Sequence, residues 1–338
     1  IYQLDSASAT SLSRALDHKI SHDKITRFLN SEELASPKLW AVVKPLVRER
    51  QDENGVLIID DSISEKPYTD ESEINAWHFS SAKKRCLKGI QIQSLLVNYG
   101  EVTLPIGYEI IKKNEIYVDK KSGKLKRKSE VTKNELCREM ILTAIHNNVP
   151  FAYILGDSWF GAKETMELIH LKKKSFIFSV KSNRLVALSK DDYKNGIFKK
   201  ISDLDLGELN SKIVYLKAMN FAVLLGQKVF KNKDGSSGTL YLVSNDIALN
   251  SESIFEIYKR RWKIEEYHQS IKQNTSLSKS PTKSERTQRS HIFCSIYAFV
   301  KLEQLKFKKK LNHYQLRTQL LIKAMQAAAQ QLFLVQSS

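Results

Sequence analysis

The sequence has few cysteines and lacks long apolar runs. Only three cysteines occur in 338 residues, at Cys86, Cys137 and Cys294, and no two of them form a Cys-x-x-Cys pair. This spacing supports neither a disulfide framework nor a zinc site. Apolar runs are short as well, and none approaches the ~20 residues that a membrane-spanning helix needs. We find no signal peptide, so we expect a cytoplasmic protein with no membrane partner.

Acidic residues are also in short supply. Asp and Glu number 37 against 54 Lys and Arg, which leaves a formal net charge of +17. A basic excess of this size is typical of proteins that bind a polyanion, either nucleic acid or an acidic membrane surface. The hydrophobic fraction of 42% is too high for a disordered chain. The length exceeds that of a usual single core, so we expect two or three structural units.

The first fifty residues have the pattern of short helices. One helix ends near Asp17, and a second begins at Ser21 or His22 and carries Lys24 and Arg27 on its polar face. Two short helices of this kind fit a helix-turn-helix unit that reads a DNA groove. An ordinary helical hairpin packed on the next domain fits the same residues, and the pattern alone favours it.

Beyond residue 55, strands and helices alternate. The apolar runs "VLIIDDS", "IQIQSLLVNYG" and "EVTLPIGYEII" predict three strands, and the last two form an antiparallel hairpin. A helix, a strand at "FAYILGD", another helix and a strand at "SFIFSVK" follow. This order predicts a mixed sheet with helices on its faces. The basic stretches "AWHFSSAKKRCLKG" and "KKSGKLKRK" predict loops that suit a DNA backbone.

The predicted secondary structure changes twice in the rest of the chain. Residues 183–250 contain short alternating stretches around the turn "NKDGSSG", which predicts a β-rich insertion. After that the pattern is helical. It begins with a capping box at Ser253 and Glu256 and continues with helices near 286–308 and 313–334.

Two of the predicted strands end in aspartate. "VLIIDDS" ends in Asp60 and Asp61, and "FAYILGD" ends in Asp157. Because α/β folds place active sites beyond the carboxyl ends of strands, these carboxylates are candidate functional residues. Asp246 in "YLVSND" also ends an apolar stretch, but it lies inside the β-rich segment and ranks below Asp157.

A charge-dense helix at "YKRRWKIEEYHQSIK" carries a further carboxylate. Tyr258, Arg261, Glu265 and Lys272 form a stripe about 60° wide beside an apolar seam, and Glu266 points away from it. Taken alone, the Arg261 and Glu265 pair is typical of an exposed salt-bridged helix. Three carboxylates on a basic surface instead favour a site for two divalent metals that cleaves phosphodiesters.

The spacing Tyr258-x2-Arg261-x3-Glu265-x6-Lys272 matches the Tyr-Arg-Glu-Lys signature of the DDE transposases of the insertion-sequence-4 family. "IIDDS" and "YILGDSWFG" are similar to the first and second acidic blocks of that family, and the chain resembles it over roughly residues 55–275. The resemblance implies an α/β, ribonuclease H-like mixed sheet with a β-rich insertion, an N-terminal helical domain and C-terminal helices.

The resemblance also implies a metal site. Asp61, Asp157 and Glu265 would be the catalytic triad that binds two Mg ions, with Mn as an alternative. Asp61 is chosen as the first ligand because it precedes Ser62. Asp60 stays open, since alternation does not decide between neighbours in a strand that is buried on both faces.

The implied substrate is DNA. Tyr258, Arg261 and Lys272 would contact it near the cleavage site, although a solvated lysine fits Lys272 almost as well. The implied function is a transposase that binds the terminal inverted repeats of an insertion sequence, cleaves DNA and transfers the strand. Both ends of the element are handled together, so we expect a homodimer on DNA in the bacterial cytoplasm, associated with the nucleoid.

The sequence departs from the family in one respect. Some members place a tryptophan in the β-rich insertion to stack a flipped base, whereas all four tryptophans here lie outside it. Tyr193, Phe198 or Phe230 offers an alternative stacking face there. A DNA-hairpin route therefore does not follow from the sequence.

We expect four segments along the chain. They are a helical, DNA-binding unit at 1–50, the catalytic core at 51–182 and 251–338, and the β-rich insertion at 183–250. A structure-selective nuclease of the same fold and a catalytically inactive end-binding protein share the same acids. The long insertion before Glu265 argues against the first alternative, and the presence of all three acids argues against the second.

Overall fold

The computed structural model describes residues 8–31, 34–81, 83–207, 209–231 and 235–336. The helices are α1 (Ala9–Ala15), α2 (His22–Ser31), α3 (Ser36–Arg50), α4 (Lys133–His146), α5 (Lys163–Leu171), α6 (Lys190–Lys194), α7 (Ser251–Lys259), α8 (Lys263–Gln273), α9 (Glu285–Lys309) and α10 (His313–Gln336). Short 3-10 turns occupy Ile201–Asp203, Arg260–Trp262 and Leu277–Lys279.

The strands are β1 (Val56–Glu65), β2 (Asn75–Ser80), β3 (Arg85–Tyr99), β4 (Val102–Ile110), β5 (Glu115–Val118), β6 (Leu125–Lys128), β7 (Tyr153–Gly156), β8 (Ser175–Val180), β9 (Leu185–Ala187), β10 (Lys199–Lys200), β11 (Ser211–Leu216), β12 (Val223–Lys231) and β13 (Ser237–Ser244). Of the predicted turn "NKDGSSG", residues 232–234 lie outside the described residues.

Eleven strands of the described ranges form one mixed sheet. Its order is β10-β9-β11-β12-β13-β8-β7-β1-β3-β2, with β4 paired to β3. The central strands β1, β7 and β8 are parallel to one another, whereas β3 and β13 flank them antiparallel. Parallel strands are covered on both faces, which explains why these three read as continuous apolar runs. The predicted mixed α/β architecture with C-terminal helices is confirmed.

Local sequence explains the helices that cover the sheet. A capping box at Thr132 and Glu135 starts α4, and Asn147 is its C-cap. The C-terminal helices also lie where the pattern predicts them, at α9 and α10. Ile264 and Ile271 of α8 are fully buried, so this charge-dense helix is anchored by its apolar seam.

The N-terminal helices agree with the predicted boundaries. α1 ends at Ala15, and the hydroxyl of Ser21 accepts from the backbone N–H of Lys24 at the start of α2. α2 contacts α9, so this unit is packed on the C-terminal part of the chain. None of the helices in the described ranges combines the length and apolarity that a membrane crossing demands.

Two basic stretches that the sequence predicts as loops are strands in part, with turns at residues 83–84 and 120–122. β2 pairs with β3 at the edge of the sheet, and β5 pairs with β6 as a separate hairpin. In β2, Ala76 and His78 are buried while Trp77 and Phe79 are exposed, which is the alternation of a half-buried strand. The loop prediction is wrong for the strand parts, because it weighed the neighbouring cations above this alternation.

The predicted start of the helix that carries Glu265 is also wrong. Asn250 is the N-cap of α7, and its side chain accepts from the backbone N–H of Ser253 at 2.8 Å. Asn is as strong a cap as Ser, and Ser253 therefore lies inside the first turn. A 3-10 turn at Arg260–Trp262 separates α7 from α8, so the charged stretch is not one continuous α-helix.

The β-rich segment continues the main sheet. β13 pairs with β8, and β12, β11, β9 and β10 follow outward in that order. The β-rich character agrees with the sequence pattern. The division of the chain into four segments stays a prediction.

Candidate active site

The carboxyl ends of two neighbouring parallel strands bring acidic residues together. The register pairs Ile58 of β1 with Leu155 of β7, and Asp60 and Asp157 each follow two residues later. Both aspartates line a cavity of about 650 Å³ that α8 closes with Glu265. The three predicted acidic positions therefore meet at one edge of the sheet. Asp61, which the sequence prediction chose for the first, lines the same cavity.

Asp60 lies against the helix that carries Glu265. Its carboxylate accepts from Arg261 Nη1 at 3.0 Å. Burial raises the pKa of Asp60 to about 7, the nearby charge of Asp157 adds to the rise, and Arg261 opposes it. A carboxylate in this setting is stabilised in its charged form by any additional cation.

Asp61 has different neighbours. Lys133 Nζ of α4 lies 2.7 Å from its Oδ1, and Gln91 Nε2 of β3 donates to its Oδ2. Successive side chains of a strand point to opposite faces. Asp61 therefore points toward the face that α4 covers, and Asp60 toward the face that α8 covers.

Asp157 is fixed by the turn that follows β7. Its Oδ1 accepts from the backbone N–H groups of Trp159 at 2.9 Å and Phe160 at 3.4 Å. Gly156 precedes it, and a Cβ there would lie 2.8 Å from the ring of Phe178. Only glycine lets β7 approach β8 this closely, so the position of Asp157 depends on it.

The predicted DNA-contacting residues lie around the acids. Arg261 is 17% exposed and reaches Glu265 with Nη2 at 3.4 Å in addition to Asp60. Tyr258 donates its hydroxyl to the carbonyl of Gly156 at 3.1 Å. Arg261 and Tyr258 line a neighbouring cavity that also includes Asp157.

Lys272 lines the same cavity as the acids. Burial lowers its pKa, and the charges of Glu65 and Glu265 oppose that change. The side chain of Lys272 is half-buried in the cavity wall, and its contact with DNA stays a prediction. Glu266, by contrast, is half exposed and lies 3.0 Å from Lys263 Nζ, away from the acids.

An aromatic rim around this cavity was not predicted. Phe79, Trp159 and Trp262 line it, with 63%, 57% and 64% of their surfaces exposed. Lys133 Nζ lies 4.6 Å from the centre of the Trp159 ring. The sequence signal for this rim was Trp159, which lies two residues after Asp157 in "GDSWFG".

The aromatics of the β-rich segment lie elsewhere. Tyr193 and Phe198 pack edge to face with ring centroids 5.7 Å apart. Phe230 of β12 is half exposed. None of the three is among the described residues that line the acidic cavity.

The donor set fits a divalent metal. Asp60, Glu265 and His268 each offer a ligand atom, and these atoms lie within 4.8 Å of one another. Carboxylate oxygens are the ligands that Mg²⁺ and Mn²⁺ accept. Burial and the repulsion by Asp157 raise the pKa of Asp60, and a bound cation would oppose both effects.

Two family models match this chain. The model described as DDE superfamily endonuclease matches residues 1–194, and the model described as transposase DDE domain matches residues 118–299. Each of them spans more than half of the sequence. The chain belongs to the DDE transposase superfamily. No curated protein matches it significantly.

Membership of the superfamily confirms the enzyme class that the sequence indicates. A DDE transposase is a nuclease whose substrate is DNA, and the basic composition of the chain agrees with that substrate. Enzymes of this superfamily use divalent metal ions, and the acidic cavity supplies a donor set for them.

Proposed function

We propose that this DDE transposase moves an insertion sequence of the insertion-sequence-4 type. It binds the terminal inverted repeats, cleaves the DNA at the element end and transfers the freed 3′ hydroxyl to target DNA. The meeting of Asp60, Asp157 and Glu265 in one cavity, with Tyr258 and Arg261 beside it, carries this proposal. The parallel centre of the sheet supports a ribonuclease H-like core.

We assign Asp60, rather than Asp61, as the first metal ligand. Asp61 has both oxygens engaged by Lys133 and Gln91, which hold it toward α4. Asp60 shares a face with Glu265 and is close enough to Asp157 for the two charges to repel. Asp157 and Glu265 complete the triad, as the sequence predicts.

The chain's own residues divide the work around the triad. Two Mg²⁺ ions bound there would activate a water and stabilise the leaving oxygen. Arg261 neutralises Asp60 and Glu265 and turns to a DNA phosphate when these acids acquire other partners. Lys272 holds a second phosphate farther along the same helix, two turns after Glu265.

The remaining groups act by position. Tyr258 stays on the Gly156 carbonyl and so fixes the α7 end against the turn that carries Asp157. Phe79, Trp159 and Trp262 offer stacking faces to the bases of an opened DNA end. The helices α1 and α2, within the segment 1–50, add contacts to the terminal repeat.

A metal-dependent nicking assay tests the catalytic role. Purified wild type should nick end-containing DNA in Mg²⁺, and Glu265→Gln should lose at least about 10³-fold of this rate, or about 4 kcal/mol. Glu266→Gln is the matched control, because Glu266 pairs with Lys263 on the exposed side of α8. Undiminished nicking by Glu265→Gln would contradict the assignment of Glu265 as a catalytic residue.

α10 supports a second copy of the chain as the partner. Leu321, Met325, Ala328 and Leu332 are exposed and follow one another at spacings of four, three and four residues. This is the pattern of a coiled-coil seam. Lys323 is the one charged residue between 321 and 335, so this surface offers little to a DNA phosphate.

Size-exclusion chromatography with in-line light scattering, which measures the molar mass of the eluted protein, tests this interface. Met325→Glu and Leu332→Glu should convert a dimer into a monomer, since each places a charge in the seam. Gln330→Glu adds the same charge two residues before Leu332, on the other side of the helix, and should leave the dimer intact. A wild type that stays monomeric with and without end DNA contradicts this part of the proposal.

A further inference from the structure

We propose that His268 is an additional ligand of the catalytic metal and that its nitrogen makes the site prefer Mn²⁺ to Mg²⁺. This inference rests on the metal site assigned above and adds a donor to the three carboxylates. It concerns the imidazole on α8, one helical turn after Glu265.

The position of the ring is the first support. A nitrogen of His268 lies within 4.8 Å of carboxylate oxygens of both Asp60 and Glu265. Three donors from β1 and α8 therefore surround one small volume. Donors that contact one metal ion at about 2.0–2.2 Å are at most about 4.4 Å apart, so a limit of 4.8 Å is close to what a shared ion requires.

The second support is an unsatisfied atom. His268 is 6% exposed, and its Nε2 has no hydrogen-bond partner among the described residues. A buried polar nitrogen without a partner costs free energy, so such atoms call for an explanation such as an ion or a bound water. Here the cavity that holds Asp60 and Glu265 also includes His268 in its wall.

The environment keeps the ring available as a ligand. Burial lowers the pKa of the His268 imidazole, and the charges of Lys272 and Arg261 lower it further. A neutral imidazole presents a lone pair, as metal binding requires.

A nitrogen donor has a consequence for metal choice. Mg²⁺ prefers oxygen ligands in a regular octahedron, whereas imidazole suits first-row transition ions. A mixed site of carboxylates and one imidazole therefore binds Mn²⁺ more tightly than a site of carboxylates alone. The preference is a property of binding and is measurable without catalysis.

Pulsed electron paramagnetic resonance of bound Mn²⁺ tests the assignment directly. Metal-free full-length protein is titrated with Mn²⁺, and the spectra are searched for modulation from a coordinated ¹⁴N nucleus. We expect this signal in the wild type, and its replacement by a ¹⁵N signal in protein labelled with ¹⁵N-histidine. The labelled wild type needs no substitution, so the test does not depend on the folding of a variant.

A pair of variants completes the experiment. His268→Gln should lose the nitrogen signal and weaken Mn²⁺ binding by at least about tenfold, with a smaller loss for Mg²⁺. His170→Gln is the control, because His170 is exposed and stacks on Phe221 with ring centroids 3.9 Å apart. It should keep both the signal and the affinity.

The outcomes separate this inference from the proposed function. Mn²⁺ that binds in a Glu265-dependent manner without a nitrogen signal overturns the role of His268 and leaves the carboxylate site standing. A nitrogen signal that survives in His268→Gln assigns the ligand to another histidine and also overturns it. Mn²⁺ binding that is unaffected by Glu265→Gln overturns the metal site itself.

Discussion

The two faces of β1 hold neighbouring aspartates in opposite situations. Asp61, on the α4 face, has both oxygens occupied by Lys133 and Gln91. Asp60, on the α8 face, has a pKa raised to about 7 by burial and by the charge of Asp157. Arg261 donates a hydrogen bond to Asp60 and opposes this rise in pKa. This difference in charge compensation is the reason that we propose Asp60, and not Asp61, as the metal ligand.

The largest expected effect comes from neutralising the carboxylates of Asp60 and Asp61 one at a time. Asp60→Asn should lower metal-dependent DNA nicking by at least about 10³-fold, because it removes a proposed metal ligand. Asp61→Asn should cost less than about tenfold, because its partners are structural. The measurement is the single-turnover rate on end-containing DNA. Equal losses, or a larger loss for Asp61→Asn, reverse the assignment of the first ligand.

Stability should respond in the opposite sense in metal-free protein. The pKa of Asp60 in the folded state, about 7, lies above its ordinary value of 3.8, so the folded state binds the proton more tightly than the unfolded state. Ionising Asp60 therefore lowers stability as the pH rises from about 4 to about 7, by up to about 4 kcal/mol. Asp60→Asn removes this loss and should raise the melting temperature at pH 8 but not near pH 4.

The neighbouring substitution supplies the contrast. Asp61→Asn leaves Lys133, which is 20% exposed, without its anion and should destabilise the fold by about 1–3 kcal/mol at pH 8. Thermal unfolding of both variants in a chelator at the two pH values gives the comparison. If Asp60→Asn is the more destabilising of the two at pH 8, the environment described for Asp60 is wrong.

Sequence patterns identified the elements that meet at the site. Period and composition located β1, β7 and the helices after residue 250, because buried parallel strands and apolar seams leave strong local signals. The spacing of Tyr258, Arg261, Glu265 and Lys272 selected one face of a helix. The family models support the resulting transposase reading.

The remaining features depend on contacts between distant segments. Whether Asp60 or Asp61 faces α8 is decided by Lys133 and Gln91, which follow Asp61 by 72 and 30 residues in the chain. No local pattern contains that pairing. The proposed donor role of His268 likewise has no local signal in the sequence, since a histidine beside an apolar seam is typical of an ordinary core residue. β2 was missed because its half-buried alternation lies among cations.

Two adjacent arginines, Arg260 and Arg261, allow a similar comparison of a structural residue with one that faces the acids, with smaller expected effects. Arg260 donates to the carbonyls of Asn98 at 2.6 Å and Asn54 at 2.8 Å, so its guanidinium ties the 3-10 turn to the sheet. Arg261 instead faces the acids. Arg260→Ala should cost about 1–3 kcal/mol of unfolding free energy and leave the salt dependence of DNA binding unchanged.

Arg261→Ala should do the reverse. We expect the slope of log affinity against log salt for end DNA to fall by about one, since one phosphate contact is lost. Salt titrations and thermal melts of the two variants give both quantities. A reduced slope for Arg260→Ala, with none for Arg261→Ala, would exchange the two roles.

The smallest expected effect concerns the N-terminus of α7, the helix that precedes Arg261 and Glu265. Asn250 caps α7, whereas the sequence pattern pointed to Ser253 and Glu256. Asn250→Ala should therefore lower the unfolding free energy by about 1 kcal/mol, because it leaves a first-turn N–H without its acceptor. Ser253→Ala lies within the same turn and should change it by less than about 0.5 kcal/mol. Chemical denaturation of both variants measures the difference, and a larger loss for Ser253→Ala would restore the capping box and shift the start of the helix that leads to Arg261 and Glu265.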